Sequence, residues 1–169
     1  MGAFLSCSGV VTSIDPFWAD AQEPSGCFLL MSVRRWSGDT VNFVMSPDTY
    51  LVGHTAVRIR DTVTGFYDPN APTPMIFPPQ YRALVIAENV RNQTVAVDFF
   101  DSRLVSGDGT LRLNLSRSTR VILPNGQTFV GELRNRNLAV VYRASGQNLP
   151  LRMMGVPAQI TPLQVTVLC

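Results

Sequence analysis

"WSGDTVNFVMSPDTYLV" (36–52) lies on "VSGDGTLRLNLSRSTRVI" (105–122) once a single residue is inserted, and this overlay decides how the chain is read. Ser37-Gly38-Asp39 then meets Ser106-Gly107-Asp108, while Thr40, Ser46 and Thr49 meet Thr110, Ser116 and Thr119, 70 residues on. Downstream, "GFYD" (65–68) meets "VVYR" (140–143), which places Tyr67 on Tyr142. "PPQYRALVI" (78–86) meets "VPAQITPLQVTVL" (156–168), with Pro79 and Gln80 near Pro157 and Gln159. The offset drifts from 70 to 79, as it does when loops of different length are inserted into a duplicated unit.

Outside the overlay the same texture continues. No segment keeps apolar residues at i, i+3, i+4, i+7 over three turns. Short β-branched and aromatic runs recur instead, from "SGVVTSID" (8–15) through "AVRIRDTVTGFY" (56–67), "TVAVDFFDS" (94–102) and "QTFVGEL" (127–133) to "LQVTVL" (163–168). Turn residues such as "SGDG" (106–109) and "PNG" (124–126) separate them. In "TLRLNLS" (110–116), Leu111, Leu113 and Leu115 alternate with Arg112 and Asn114, which predicts a sheet with one wet face and antiparallel packing. The fold class is all-β. About five strands in each half suit a small, closed barrel, which removes exposed edges. The expected architecture is two tandem OB-like barrels related by the internal repeat, residues 1–88 and 89–169, with a single β-sandwich as the alternative.

"GFYDPNAPTPMIFPPQY" (65–81) holds five of the twelve prolines. Asp68, Pro69 and Asn70 start a turn, and Pro72, Pro74, Pro78 and Pro79 forbid helix over 72–79. Met75, Ile76 and Phe77 are apolar, so the loop is expected to fold back and plug one barrel end. The alternative is presentation of an extended, proline-stiffened segment to a partner. "GFYDPNAPTPMIFPPQYRALVIA" (65–87), preceded by "NFVMSPDTY" (42–50), resembles the motif of a small family of uncharacterised proteins from spore-forming Gram-positive bacteria. The resemblance spans residues 9–87; it implies that the first half is a recurring β module and brings no catalytic residues with it.

The composition excludes much chemistry. All 14 basic residues are arginines, which removes a lysine Schiff base, a lysine general base and a P-loop lysine. A net charge of +2 does not advertise a polyanion partner. Cys7, Cys27 and Cys169 have no metal-ligand spacing, and their odd number favours a reducing compartment, so a cytoplasmic location and no metal or cofactor are expected. No apolar run reaches the length of a membrane span. "MGAFLSCSG" (1–9) fits an acylation pattern through Gly2 and Ser6, but the same residues continue into a strand. His54 is the only histidine and lies in no nucleophile context, and "VDFFD" (97–101) reads as a strand end with solvated Asp98 and Asp101. No enzyme activity is expected.

The candidate ligand-binding residues are Arg58, Arg60, Arg134, Arg136, Trp36 and Tyr67. Arg58 and Arg60 are read as sharing one strand face, with Arg134 and Arg136 nearly equivalent in the second half. Arginines beside aromatic platforms are how OB modules hold single-stranded nucleic acid. Against this, Asp39, Asp61 and Asp68 are close in sequence and cancel much of the field. The leading expectation is a non-enzymatic β module that binds a protein partner or itself. The alternative is an OB-type binder of single-stranded nucleic acid or oligosaccharide.

Overall fold

A computed structural model describes residues 2–18, 26–143 and 155–169. Its strands are β1 (Leu5–Phe17), β2 (Phe28–Arg35), β3 (Thr40–Met45), β4 (Tyr50–Leu51), β5 (Thr62–Tyr67), β6 (Gln80–Arg82), β7 (Val85–Glu88), β8 (Gln93–Phe100), β9 (Leu111–Leu113), β10 (Arg120–Ile122), β11 (Arg136–Arg143), β12 (Ala158–Ile160) and β13 (Gln164–Leu168). Among the described residues the one helical element is a short 3-10 turn, Val52–His54. The fold class is all-β. Two compact units form: Phe4–Asn89, and Val90–Cys169 together with Met1–Ala3.

In the first unit, seven strands pair in the order β4-β7-β5-β1-β2-β3-β6. Alternation decides the inner face: Val41 and Phe43 of β3 are buried, with Asn42 between them and Thr40 before them outside the core. Val11, Met31, Val33, Phe43, Val63 and Ile86 are almost completely buried and form the core. Gly65 is required by that packing, because a Cβ there would stand 2.6 Å from the Phe43 ring. The second unit has a four-stranded sheet, β10-β13-β11-β8, and a two-stranded one, β12-β9. Its core is built around Phe100, Leu113, Leu138, Val140, Val165 and Val167.

The order of pairings recurs between the units. β3 runs parallel to β6 and β4 to β7, as β9 does to β12 and β10 to β13. β5 is antiparallel to both β7 and β1, as β11 is to both β13 and β8. The registers agree as well: Asn42 faces Gln80 where Arg112 faces Gln159, and Tyr50 faces Val85 where Arg120 faces Gln164.

Between the two parallel pairs the chain turns a corner, and a threonine carries the ladder across it. Thr49 Oγ1 accepts from Ser46 N–H (3.0 Å) and donates to Ala83 O (2.8 Å). Thr119 Oγ1 does the same between Ser116 N–H (3.1 Å) and Pro162 O (2.8 Å). The serines close the turn, since Ser46 Oγ accepts from Asp48 N–H and Ser116 Oγ from Ser118 N–H, each at 3.2 Å. The backbone ladder resumes at once, from Tyr50 N–H to Leu84 O and from Arg120 N–H to Leu163 O.

The structure corrects several expectations. The sheets are mixed and do not close into OB-like barrels. Segments 40–51 and 80–88 meet at both ends of the seven-stranded sheet, but their ladder is broken at the corner and handed to a side chain. Residues 56–61 are not part of β5: Arg60 has φ 80°, which no extended strand contains, and Asp61 Oδ2 caps the Arg58 N–H at 2.8 Å. Residues 127–133 form no strand beyond one bridge, Thr128 to Ile122. Leu111 and Leu113 are buried as expected, but β9 ends there and Leu115 is 46% exposed.

Replacing Thr49 or Thr119 by valine keeps the β-branched shape and removes both bonds. Each substitution should lower unfolding free energy by about 1–3 kcal/mol, while serine at either site should retain most of it. Urea titration followed by circular dichroism checks this.

Candidate interaction surface

The segment between β5 and β6 carries three consecutive large apolar side chains to solvent. It begins as a turn, with Ala71 N–H donating to Asp68 O (3.2 Å) and Asn70 N–H to Asp68 Oδ1 (2.8 Å). It ends when Pro79 O accepts from Asn42 N–H (2.9 Å), which leads the chain into β6. Between these anchors Met75 is 103%, Phe77 88% and Ile76 54% exposed. The expected plug does not form. Beside the loop Tyr67 and Tyr81 stack at 3.9 Å and 10°, with Phe43 tilted against both. Prolines at five positions of 65–81 forbid helix here, and the segment crosses from β5 to β6 as a bent loop. The loop cups a shallow recess of about 480 Å³, with Thr73, Pro74, Pro79 and Tyr81 in its lining.

The arginines singled out as ligand contacts do not sit in pairs on strand faces. Arg58 and Arg60 are exposed in the turn before β5, not side by side on a strand. Arg134 is exposed in the turn before β11. Arg136 opens β11, where its Nε donates to Glu132 O at 2.7 Å and its guanidinium lies 5.2 Å from the centre of the Phe129 ring. The positive-φ position next to the strand is Arg60 in the first unit and Asn135 in the second, so the two arginine pairs are out of step. Trp36 is 74% exposed in the turn between β2 and β3. Tyr67 is buried at 8% exposure and offers no stacking face to a ligand. Burial pushes its phenol well above the usual tyrosine range, and hydrogen bonds with Tyr81 and Cys7 act in the same direction.

Other groups with chemical potential are scattered over both units. His54 is exposed at the end of the 3-10 turn, edge-on to Tyr50 at 6.1 Å. Asp98 corrects the expectation of a solvated carboxylate, being 4% exposed. It accepts the backbone N–H groups of Ala3 (2.6 Å), Phe99 (2.8 Å) and Asp108 (3.1 Å). Those bonds account for it structurally, and only the strand-end position of "VDFFD" hints at them. Asp101 caps a turn through Arg103 and Val105 N–H, and those bonds hold its carboxyl below the usual range. All three cysteines are free thiols, and burial pushes Cys7 up, away from thiolate reactivity. Cys27 opens onto a second cleft of about 270 Å³, lined largely by Leu29, Met45, Pro47, Leu51 and Val57. Among the described residues no cluster of His, Cys, Asp or Glu could hold a metal, and no helix is long and apolar enough to cross a membrane. No protein-family model, curated protein or solved structure matches this chain.

The raised Tyr67 pKa has a defined consequence for stability. Above about pH 10 the unfolded chain gives up the phenol proton and the folded chain keeps it. Stability should therefore fall with rising pH by as much as about 1.4 kcal/mol per unit from this group, and Tyr67→Phe should remove that share of the slope. Denaturant titrations between pH 9 and 11 read it directly.

Proposed function

We propose that this chain is a non-enzymatic β-sheet interaction module that engages a protein surface through the loop 72–81. The carrying observation is the exposure of Met75, Ile76 and Phe77 together on a segment stiffened by prolines. Contiguous exposed apolar surface marks a recognition site in a stable protein. A segment already restricted by prolines loses little conformational freedom on docking, and so its contacts translate into affinity with small ordering losses. In this reading the two units are copies of one pairing scheme, of which the first carries the contact element. The free thiols fit a reducing compartment such as the cytoplasm.

Single-stranded nucleic acid or oligosaccharide binding draws less support, because Arg58, Arg60 and Arg134 sit in turns, Arg136 is engaged with Glu132 and Phe129, and Tyr67 is buried. A salt titration separates the two readings. Phosphate binding weakens steeply with salt and apolar docking does not.

The test is a random peptide library selected on the wild-type chain and re-measured on Met75→Glu/Phe77→Glu. Apolar peptides should emerge, should lose at least about tenfold in affinity on the variant, and should be little affected between about 50 and 500 mM salt. Peptides that bind the variant equally well, or a labelled oligothymidylate that binds with a steep salt dependence, would displace this reading.

A further inference from the structure

The turn after β10 carries a reactive pair of residues unrelated to the apolar loop. Of the nine asparagines only Asn125 is followed by glycine. That neighbour matters chemically, because an asparagine amide is attacked by the main-chain nitrogen of the next residue. Glycine has no Cβ to obstruct the approach. Asn125 and Gly126 are both exposed, so water reaches them. The 3-10 turn Val52–His54 that follows β4 in the first unit contains no asparagine. The site belongs to the second unit alone.

Three hydrogen bonds hold the pair away from reaction. Gly126 N–H donates to Leu123 O (2.9 Å), which engages the nucleophile. Gln127 N–H donates to Asn125 Oδ1 (3.0 Å), which ties down the group to be attacked. Leu123 N–H donates to Gln127 O (2.8 Å) and closes the turn around both. Gly126 sits at φ 90°, where glycine is at ease. Beyond the turn the hairpin continues through the Ile122–Thr128 bridge and the bond from Phe129 N–H to Val121 O (3.0 Å).

We propose that Asn125 is a site of spontaneous deamidation and isomerisation whose rate is set by opening of the 123–127 turn. In the open turn Gly126 N forms a bond to Asn125 Cγ, its proton passes to water, and the side-chain nitrogen leaves as ammonia. The resulting succinimide takes up a water and opens at either carbonyl, to aspartate or isoaspartate. Isoaspartate routes the main chain through the former side-chain carbon and lengthens the turn by a methylene. The acceptor for Gln127 N–H is then lost, and a new carboxylate lowers the formal net charge of +2 by one. Opening reverses freely, whereas the lengthened backbone persists. It loosens the hairpin beside Phe129, which packs against the core of this unit and lies 5.2 Å from the Arg136 guanidinium.

Incubation of the full chain in mildly alkaline buffer, followed by tryptic mapping that separates aspartate from isoaspartate, tests the proposal. Cleavage after Arg120 and Arg134 isolates the site on one peptide. In the chain unfolded by urea, Asn125 should convert before any other asparagine, with isoaspartate in excess. In the native chain it should convert at least about tenfold more slowly, because the turn must open first. Pro124→Gly frees the turn backbone, so it should speed conversion in the native chain and leave the rate in urea unchanged. Equal rates in native and unfolded chains overturn the gating. Conversion that begins at another asparagine, or none in the unfolded chain, overturns the site.

Discussion

A threonine hydroxyl at a chain corner carries a burden that backbone groups carry everywhere else. In each unit two segments lie parallel, and both must bend where the sheet curves. Backbone pairing alone cannot follow that bend, because a corner leaves carbonyl and amide groups facing gaps. Thr49 and Thr119 fill the gaps with one oxygen that accepts from the turn and donates to the opposite segment. Everything downstream inherits the register they set. Tyr50 meets Val85, β7 meets β5, and Val63 and Ile86 arrive in the core.

That constraint also determines where the apolar loop goes. With β6 fixed beside β3 by the Asn42–Pro79 bond and the corner beyond it, Tyr81 is placed on Tyr67 and the end of the core is filled. The loop between β5 and β6 runs outside the core, around the recess it shares with Tyr81. Its prolines forbid helix, and Met75 and Phe77 remain in water. The exposed surface follows from a full core and a stiff chain acting together.

How much of this is legible in the sequence differs by element. The strand texture is plain, because period-two alternation survives in residues such as Val41, Phe43, Leu111 and Leu113. The Ser46–Thr49 and Ser116–Thr119 correspondence is visible as identities at one offset, and these residues make matching bonds in the structure. Barrel closure is not legible, since composition says nothing about whether a ladder continues through a bend. The segment 56–61 misleads because "VRIR" alternates like a strand, whereas the positive φ at Arg60 is a backbone property with no glycine or asparagine to announce it. The loop misleads for a different reason: its apolar residues suggest burial, yet Met75, Ile76 and Phe77 are exposed while Tyr67 and Tyr81 stack beside them. Asp98 looks like a solvated end residue because its donors include an amide 95 positions away, which no local pattern reveals.

That last bond makes the two units unequal in chain terms. Ala3 belongs with residues 90–169, and everything from Phe4 to Asn89 lies between the two parts of that unit. The first unit is therefore an insertion within the second. A cut after Asn89 would release the first unit with all its strands, but would strip the second of the amide that reaches Asp98 at 2.6 Å. The two halves of the sequence are consequently not interchangeable as fragments: one is a continuous piece of chain, and the other is completed only by residues that precede its neighbour.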